Sequence, residues 1–316
     1  MLKRHAQLSV NIGTLKLKNP VMVASGTFGY AEEFKDYMNL KKLGAIVTKT
    51  ITVHPRQGNP VPRTCETPAG MLNSIGLENP GIDAFIHTKL PLFIKIGVPI
   101  IVSIASETSP REFVSLAERL DSIPEVAGIE LNISCPNLKD GKSRQASHAL
   151  IAQDARATQR LVRMVRKATK KVLITKLSPN VTCITDIAEA AQDAGSDALS
   201  LINTLTAMGI DVVTRSPKIA AVTAGLSGPA IRPVALRMVW EVYNKVKIPL
   251  IGMGGITDTA SALEFFIAGA RAISVGTGNF VNPNASVEIV DGIRQYLEKN
   301  NLRSVKKLVG SLLCKL

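Results

Sequence analysis

The chain has 316 residues and carries 38 Lys and Arg against 25 Asp and Glu, a formal net charge of +13. Hydrophobic residues make up 46% and aromatic residues only 4%, so the core must be aliphatic, and the length suits either two ordinary domains or one barrel. The first residues, MLKRHAQ, lack the apolar stretch of a secretory signal, and the longest apolar candidate, 90–105, is broken by Lys95, Gly97 and Pro99. Neither export nor a membrane span is expected. The four cysteines, Cys65, Cys135, Cys183 and Cys314, show no zinc or iron–sulfur spacing, so a metal site is not expected and a reducing, cytoplasmic setting is.

In chain order, 7–12 and 14–18 alternate around Gly13 and read as a β-hairpin. Eight short aliphatic runs follow: 21–24, 45–49, 99–104, 128–132, 172–176, 198–202, 249–252 and 272–276. Between them, 31–43, 110–122, 153–168, 185–194, 231–246 and 259–268 carry helical patterns. Short, wholly apolar strands alternating with amphipathic helices imply parallel pairing with both faces covered. Eight such units predict an α/β fold, a (β/α)8 barrel with an N-terminal β-hairpin, in one domain over 1–316; a doubly wound open sheet is the competing architecture. A small insertion is expected after strand six, with Val212-Val213 and 219–222 as an extra hairpin. The long Pro- and Gly-rich loop 60–81 after strand two is expected to fold over the barrel mouth.

The positive charge raises nucleic acid or an anionic membrane as partners. Its densest part is Arg156, Arg160, Arg163, Arg166, Lys167, Lys170 and Lys171, where Leu161, Val165, Ala168 and Val172 recur at helical spacing as a buried face. The basic residues then form a solvated face, and no aromatics are interleaved to stack on bases. An anionic substrate or cofactor would also benefit from the field.

Barrel enzymes keep their chemistry at the C-terminal ends of the strands. Read there, the ends are unusually polar: Ser25, Lys49-Thr50, Ser103, Asn132, Lys176, Asn203-Thr204, Gly254-Gly255 and Gly276-Thr277. Just past strand four comes Asn132-Ile-Ser-Cys135-Pro-Asn137, a cysteine flanked by two amides, able to act as base or nucleophile through its thiolate. The two glycine loops after strands seven and eight suit phosphate, because glycine allows close backbone approach. The first is not a dinucleotide fingerprint, since Thr257 stands where its third glycine belongs.

Seven ordered motifs resemble class 1 dihydroorotate dehydrogenases: Thr48-Lys-Thr50, Arg63 with 66–77 (ETPAGMLNSIGL), Asn132–Asn137, Lys176–Asn180, Ile202–Thr204, Leu226–Ala230 and Gly252–Ile256. The 66–77 segment is most similar to the NAD-linked class 1B catalytic subunit. The resemblance implies an FMN barrel that oxidises dihydroorotate to orotate in pyrimidine synthesis, with Cys135 as the base. It implies substrate contacts from Lys49, Asn73, Ser74, Ile75, Gly76, Leu77, Asn132, Asn137, Asn203 and Thr204. Ser25, Lys49, Thr50, Ser103, Asn132, Lys176, Ile202 and Gly228 would line the flavin, and Gly254, Gly255, Gly276 and Thr277 its phosphate. A homodimer joined to an electron-transfer subunit bearing FAD and a 2Fe-2S cluster is implied as the assembly.

Two features differ from that family's pattern. Residues 138–147, LKDGKSRQAS, have one glycine and no phenylalanine where Gly-Gly and Phe-Gly are usual, and Ser103 stands where asparagine is usual. The alternatives are a fumarate-linked class 1A enzyme, a dihydrouracil-type dehydrogenase and a basic nucleic-acid-binding barrel.

Overall fold

The computed structural model describes residues 6–133 and 151–313. Eight parallel strands close into a barrel: β1 (Val21–Val23), β2 (Ala45–Val47), β3 (Ile100–Ile104), β4 (Val126–Asn132), β5 (Val172–Lys176), β6 (Ala198–Leu201), β7 (Leu250–Gly252) and β8 (Ala272–Val275). Each lies in one of the apolar runs, except that β4 begins two residues earlier, and nearly every residue in them is buried. Consecutive strands pair and β8 pairs with β1, for example Ile129↔Leu173 and Ser200↔Lys176, with one register shift between β3 and β4 at Ile100/Ile101. The sheet has no open edge, which rules out the doubly wound alternative.

The N-terminal hairpin forms as expected, Val10–Ile12 against Leu15–Leu17. Val10, Ile12 and Leu17 are fully buried while Asn11 and Lys16 face water. Gly13, at a positive φ of 56°, turns so close to Asp197 that a Cβ would lie 2.9 Å from its Cβ. Asp197 immediately precedes β6, so the hairpin plugs the N-terminal end and leaves the other end for chemistry.

Helices surround the barrel where local signals place them. Ser109 caps Pro110–Asp121, and Asp154 caps Ala155–Ala168. Asp258 and Ser261 form a reciprocal capping box on Thr259–Ala268. Ile184–Asp193 and Arg232–Tyr243 follow β5 and β6, and two further helical segments, 81–96 and Ala285–Lys299, complete the ring after β2 and β8.

Three expectations need correction. Residues 31–43 are not one helix but two 3₁₀ turns, Glu32–Phe34 and Leu40–Lys42. Ala31 takes a left-handed φ of 70°, and the Asn39 side chain accepts from Lys41 N, a local turn that competes with helix. Val172 opens β5 rather than continuing the preceding helix, whose buried face is Leu161, Val162 and Val165. Arg156, Arg160, Arg163, Lys167 and Lys170 are exposed as read, but Arg166 turns inward to Asp197 at 2.8 Å. In the insertion, Ile210–Asp211 pairs with Ser216–Pro217, and Val212 and Val213 sit in the exposed turn. Asp211 takes two backbone N–H bonds, from Val213 and Thr214, and so sets the turn over the valines.

The loop after β2 does cover the barrel mouth. Thr64–Thr67 and Gly70–Asn73 form a hairpin whose inner strand pairs with Thr223–Ser227, which in turn pairs with Leu205–Met208. Leu72, Ile219 and Ala224 make a small core of this four-stranded lid. Asn79 fastens the lid's return to the barrel, donating to Thr52 Oγ1 and Leu77 O and accepting from Thr52 N and Gly81 N.

Candidate active site

Between the strand ends and the lid lie two adjoining cavities of about 170 and 80 Å³. They share Ser25, Thr27, Lys176, Asn203, Thr204, Ser227 and Thr277 as a common wall.

The larger cavity receives Lys49 and Thr50 from beyond β2, Asn132 from the end of β4 and Lys176 from the end of β5. The lid contributes Asn73, Ile75, Gly76 and Leu77. Among the described lining residues the only charged ones are Lys49 and Lys176, so the cavity is cationic. The smaller cavity continues to Ile202, Gly228, Gly254, Gly255 and Gly276.

A chain of hydrogen bonds holds the polar rim. Thr50 Oγ1 lies 3.0 Å from Ser25 Oγ and 3.0 Å from Ser103 Oγ, and accepts from Asn132 Nδ2 at 3.0 Å. A hydroxyl has one proton and two lone pairs, so these three bonds use its full capacity. Asn132 Oδ1 accepts from Asn203 Nδ2 at 3.5 Å, and Asn203 Oδ1 accepts from Thr204 N at 2.8 Å. Asn180 donates to Thr204 O and accepts from Thr206 N, fixing the start of the insertion. Asn73 Nδ2 donates to Gly225 O at 3.2 Å, which ties the two halves of the lid together over the cavity.

The glycine loops have the geometry their spacing suggested. Gly254 and Gly255 take φ of 121° and 77°, where a side chain would be strained. A Cβ at Gly255 would lie 2.9 Å from Gly228 O, whereas one at Gly276 would make ordinary contacts at 3.7 Å with Ala24 and Thr27.

Two sequence-identified residues line neither cavity. Ser103 is wholly buried behind Thr50, because β3 points that side chain at its neighbour rather than past the strand end. Ser74 is buried and accepts from Asn59 Nδ2 at 2.7 Å, so it braces the lid. Cys135 and Asn137 lie outside the described residues. Sequence reasoning overlooked Glu130, Thr27, Met71, Ser227 and Phe280. Of these, Met71 and Ser227 fall within the motifs that carried the resemblance, and Glu130 stood out as a charge within an otherwise apolar strand.

No group of three or more His, Cys, Asp or Glu among the described residues is arranged to hold a metal, and no described helix is long and apolar enough to cross a membrane.

Fold and site define the class: a (β/α)8-barrel enzyme with a cationic, amide-rich cleft at its C-terminal rim. The family model for dihydroorotate dehydrogenase matches residues 7–297. A protein of Geotalea uraniireducens named dihydroorotate dehydrogenase B (NAD(+)), catalytic subunit, is 54% identical over 306 residues, covering 97% of this chain and 98% of that protein. Proteins of the same name from Geobacter metallireducens and Thermoanaerobacter pseudethanolicus are 54% and 52% identical over 309 and 305 residues. The alignment with the Geobacter protein covers 98% of this chain and 99% of its relative. The chain belongs to the dihydroorotate dehydrogenase family.

Proposed function

We propose that the chain is the FMN-bearing catalytic subunit of an NAD-linked dihydroorotate dehydrogenase, oxidising (S)-dihydroorotate to orotate in the synthesis of UMP. The observation that carries this reading is the convergence of Lys49, Asn73, Asn132, Asn203 and Lys176 on one cleft that continues into the glycine cradle. A cationic pocket beside Gly254 and Gly255, whose positive φ strains any other residue, fits a phosphate-bearing cofactor with a polar ring system.

FMN, when bound, supplies the hydride acceptor. The Lys49 ammonium pairs with the substrate carboxylate. Asn73, Asn132 and Asn203 present uncharged donors and acceptors to the substrate's amides. Leaving such groups unpaired costs on the order of 1–3 kcal/mol each, which makes a cleft built from them selective. Cys135 stands three residues beyond the end of β4 and takes the C5 proton. Lys176 places positive charge where the ring system accumulates electron density. Ser25, Thr50, Ile202 and Gly228 would border the ring, and Gly254, Gly255, Gly276 and Thr277 would hold the phosphate.

Electrons leave through a partner subunit carrying FAD and a 2Fe-2S cluster, docked on a homodimer of this chain. The relatives' name, which couples NAD(+) with a catalytic subunit, supports that reading. The test is anaerobic: dihydroorotate should bleach the flavin of the purified chain, while NADH forms only after a partner is added. Robust NADH formation by the lone polypeptide would overturn the two-protein reading. Efficient use of fumarate, or preference for dihydrouracil, would reassign the acceptor or the substrate.

A further inference from the structure

Lys176 is the one lysine embedded in a barrel strand, its side chain only 6% exposed. A buried ammonium is costly unless it is paired. Its neighbour is Glu130 on β4, whose carboxylate is 2% exposed and whose Oε1 lies 3.9 Å from Lys176 Nζ. Glu130 Oε2 accepts from Ser200 Oγ on β6 at 2.9 Å, and Ser200 is itself fully buried. The barrel register brings the three together: Glu130 pairs with Ile174, and Ser200 with Lys176. Among the described residues Glu130 Oε1 has no hydrogen-bond partner. At 3.9 Å the ion pair is too long to be one, so the carboxylate balances the ammonium's charge without occupying its donors.

On the reading that the cleft holds a flavin, we infer that Glu130 is a positioning residue, anchored by Ser200, that holds the Lys176 ammonium in place and leaves its N–H groups directed into the cofactor cavity. A buried acid serving only as structural ballast would be expected to satisfy both oxygens. Here one oxygen is fastened and the other faces the lysine that lines both cavities.

Removing one partner of a buried pair leaves the other uncompensated, and the side chain relieves this by turning away toward water. In Glu130→Gln positive charge therefore leaves the cavity, and the FMN midpoint potential should fall. If Glu130 acted merely as a nearby negative charge, its loss would raise the potential. The sign separates the two roles.

The test uses the full chain: apo-protein titrated with FMN by flavin fluorescence, and the midpoint potential of bound FMN measured against indicator dyes. Glu130→Gln should weaken FMN binding about tenfold, the equivalent of one lost charge-assisted contact, and lower the potential. In a Lys176→Met background the same change should alter neither. Ser200→Ala keeps the charge but unfastens it, and should shift both readouts the same way by a smaller amount; it carries the test if Glu130→Gln does not fold. An unchanged or raised potential in the variants, or additive losses in the double variant, would overturn the inference. A wild-type chain that takes up no FMN would instead overturn the flavin reading itself.

Discussion

Thr50 is the hub of the polar rim, and its hydroxyl is the place to perturb it. Thr50→Val keeps the shape and removes three hydrogen bonds at once. Ser25 is partly exposed and can turn to water, but Ser103 is fully buried and Asn132 is 8% exposed. Those two lose a partner with no solvent to replace it. At about 1–3 kcal/mol per stranded group, less about 0.8 kcal/mol for the added methyl, the net loss is about 3 kcal/mol. Unfolding entropy near 2.1 cal/mol/K per residue makes the chain's total about 0.66 kcal/mol/K, so the midpoint should drop by about 4–5 °C. Scanning calorimetry on the apo-protein measures this directly. Thr50→Ser, which restores the hydroxyl, should recover most of the loss, and KM for dihydroorotate should rise in the Val variant because Asn132 is no longer aimed. A Val variant melting within 1 °C of wild type, or melting no lower than the Ser variant, would refute the hub.

Cys135→Ala should leave FMN bound but slow flavin reduction at least about 10²-fold, the usual scale for a lost general base; stopped-flow rates equal to wild type would remove Cys135 from the mechanism. Gly70→Ala would place a Cβ 2.0 Å from Ser227 O, a backbone clash within the lid. It should cost about 1–3 kcal/mol and open the lid to limited proteolysis near 64–73, and an unaltered digestion pattern would argue that the lid sheet does not depend on this approach. Asp258→Ala removes the cap of Thr259–Ala268, at about 1 kcal/mol. Backbone hydrogen bonding from Ser261 holds the Asp258 carboxyl below its ordinary value, so its stabilisation is complete above the unfolded pKa of about 3.9 and fades as pH falls through the lower folded value. The gap in melting temperature between wild type and variant should accordingly close in acid, and a gap that persists at pH 2 would show that the cap does not depend on ionisation.

All eight barrel strands were legible in the sequence, because a parallel strand covered on both faces must be a short apolar run. Lys49, Asn132 and Lys176 were legible for the same reason: a polar residue at the end of such a run stands at the rim. What lay beyond reach were relations between strands. Glu130 and Lys176 face each other only because β4 and β5 pair in one register. Ser103 sits behind Thr50 rather than in the cavity because a side chain's direction is set by the pleat and by its neighbour just beyond β2, not by its place in a run. The lid is the clearest case. Met71 pairs with Ser227 across more than 150 residues, and neither segment has the alternation to form a stable hairpin over the mouth alone. Local periodicity is a property of consecutive side chains and is written into the chain. A contact between distant segments exists only once barrel closure has met the entropy of bringing them together, and that closure brings the halves of the lid side by side.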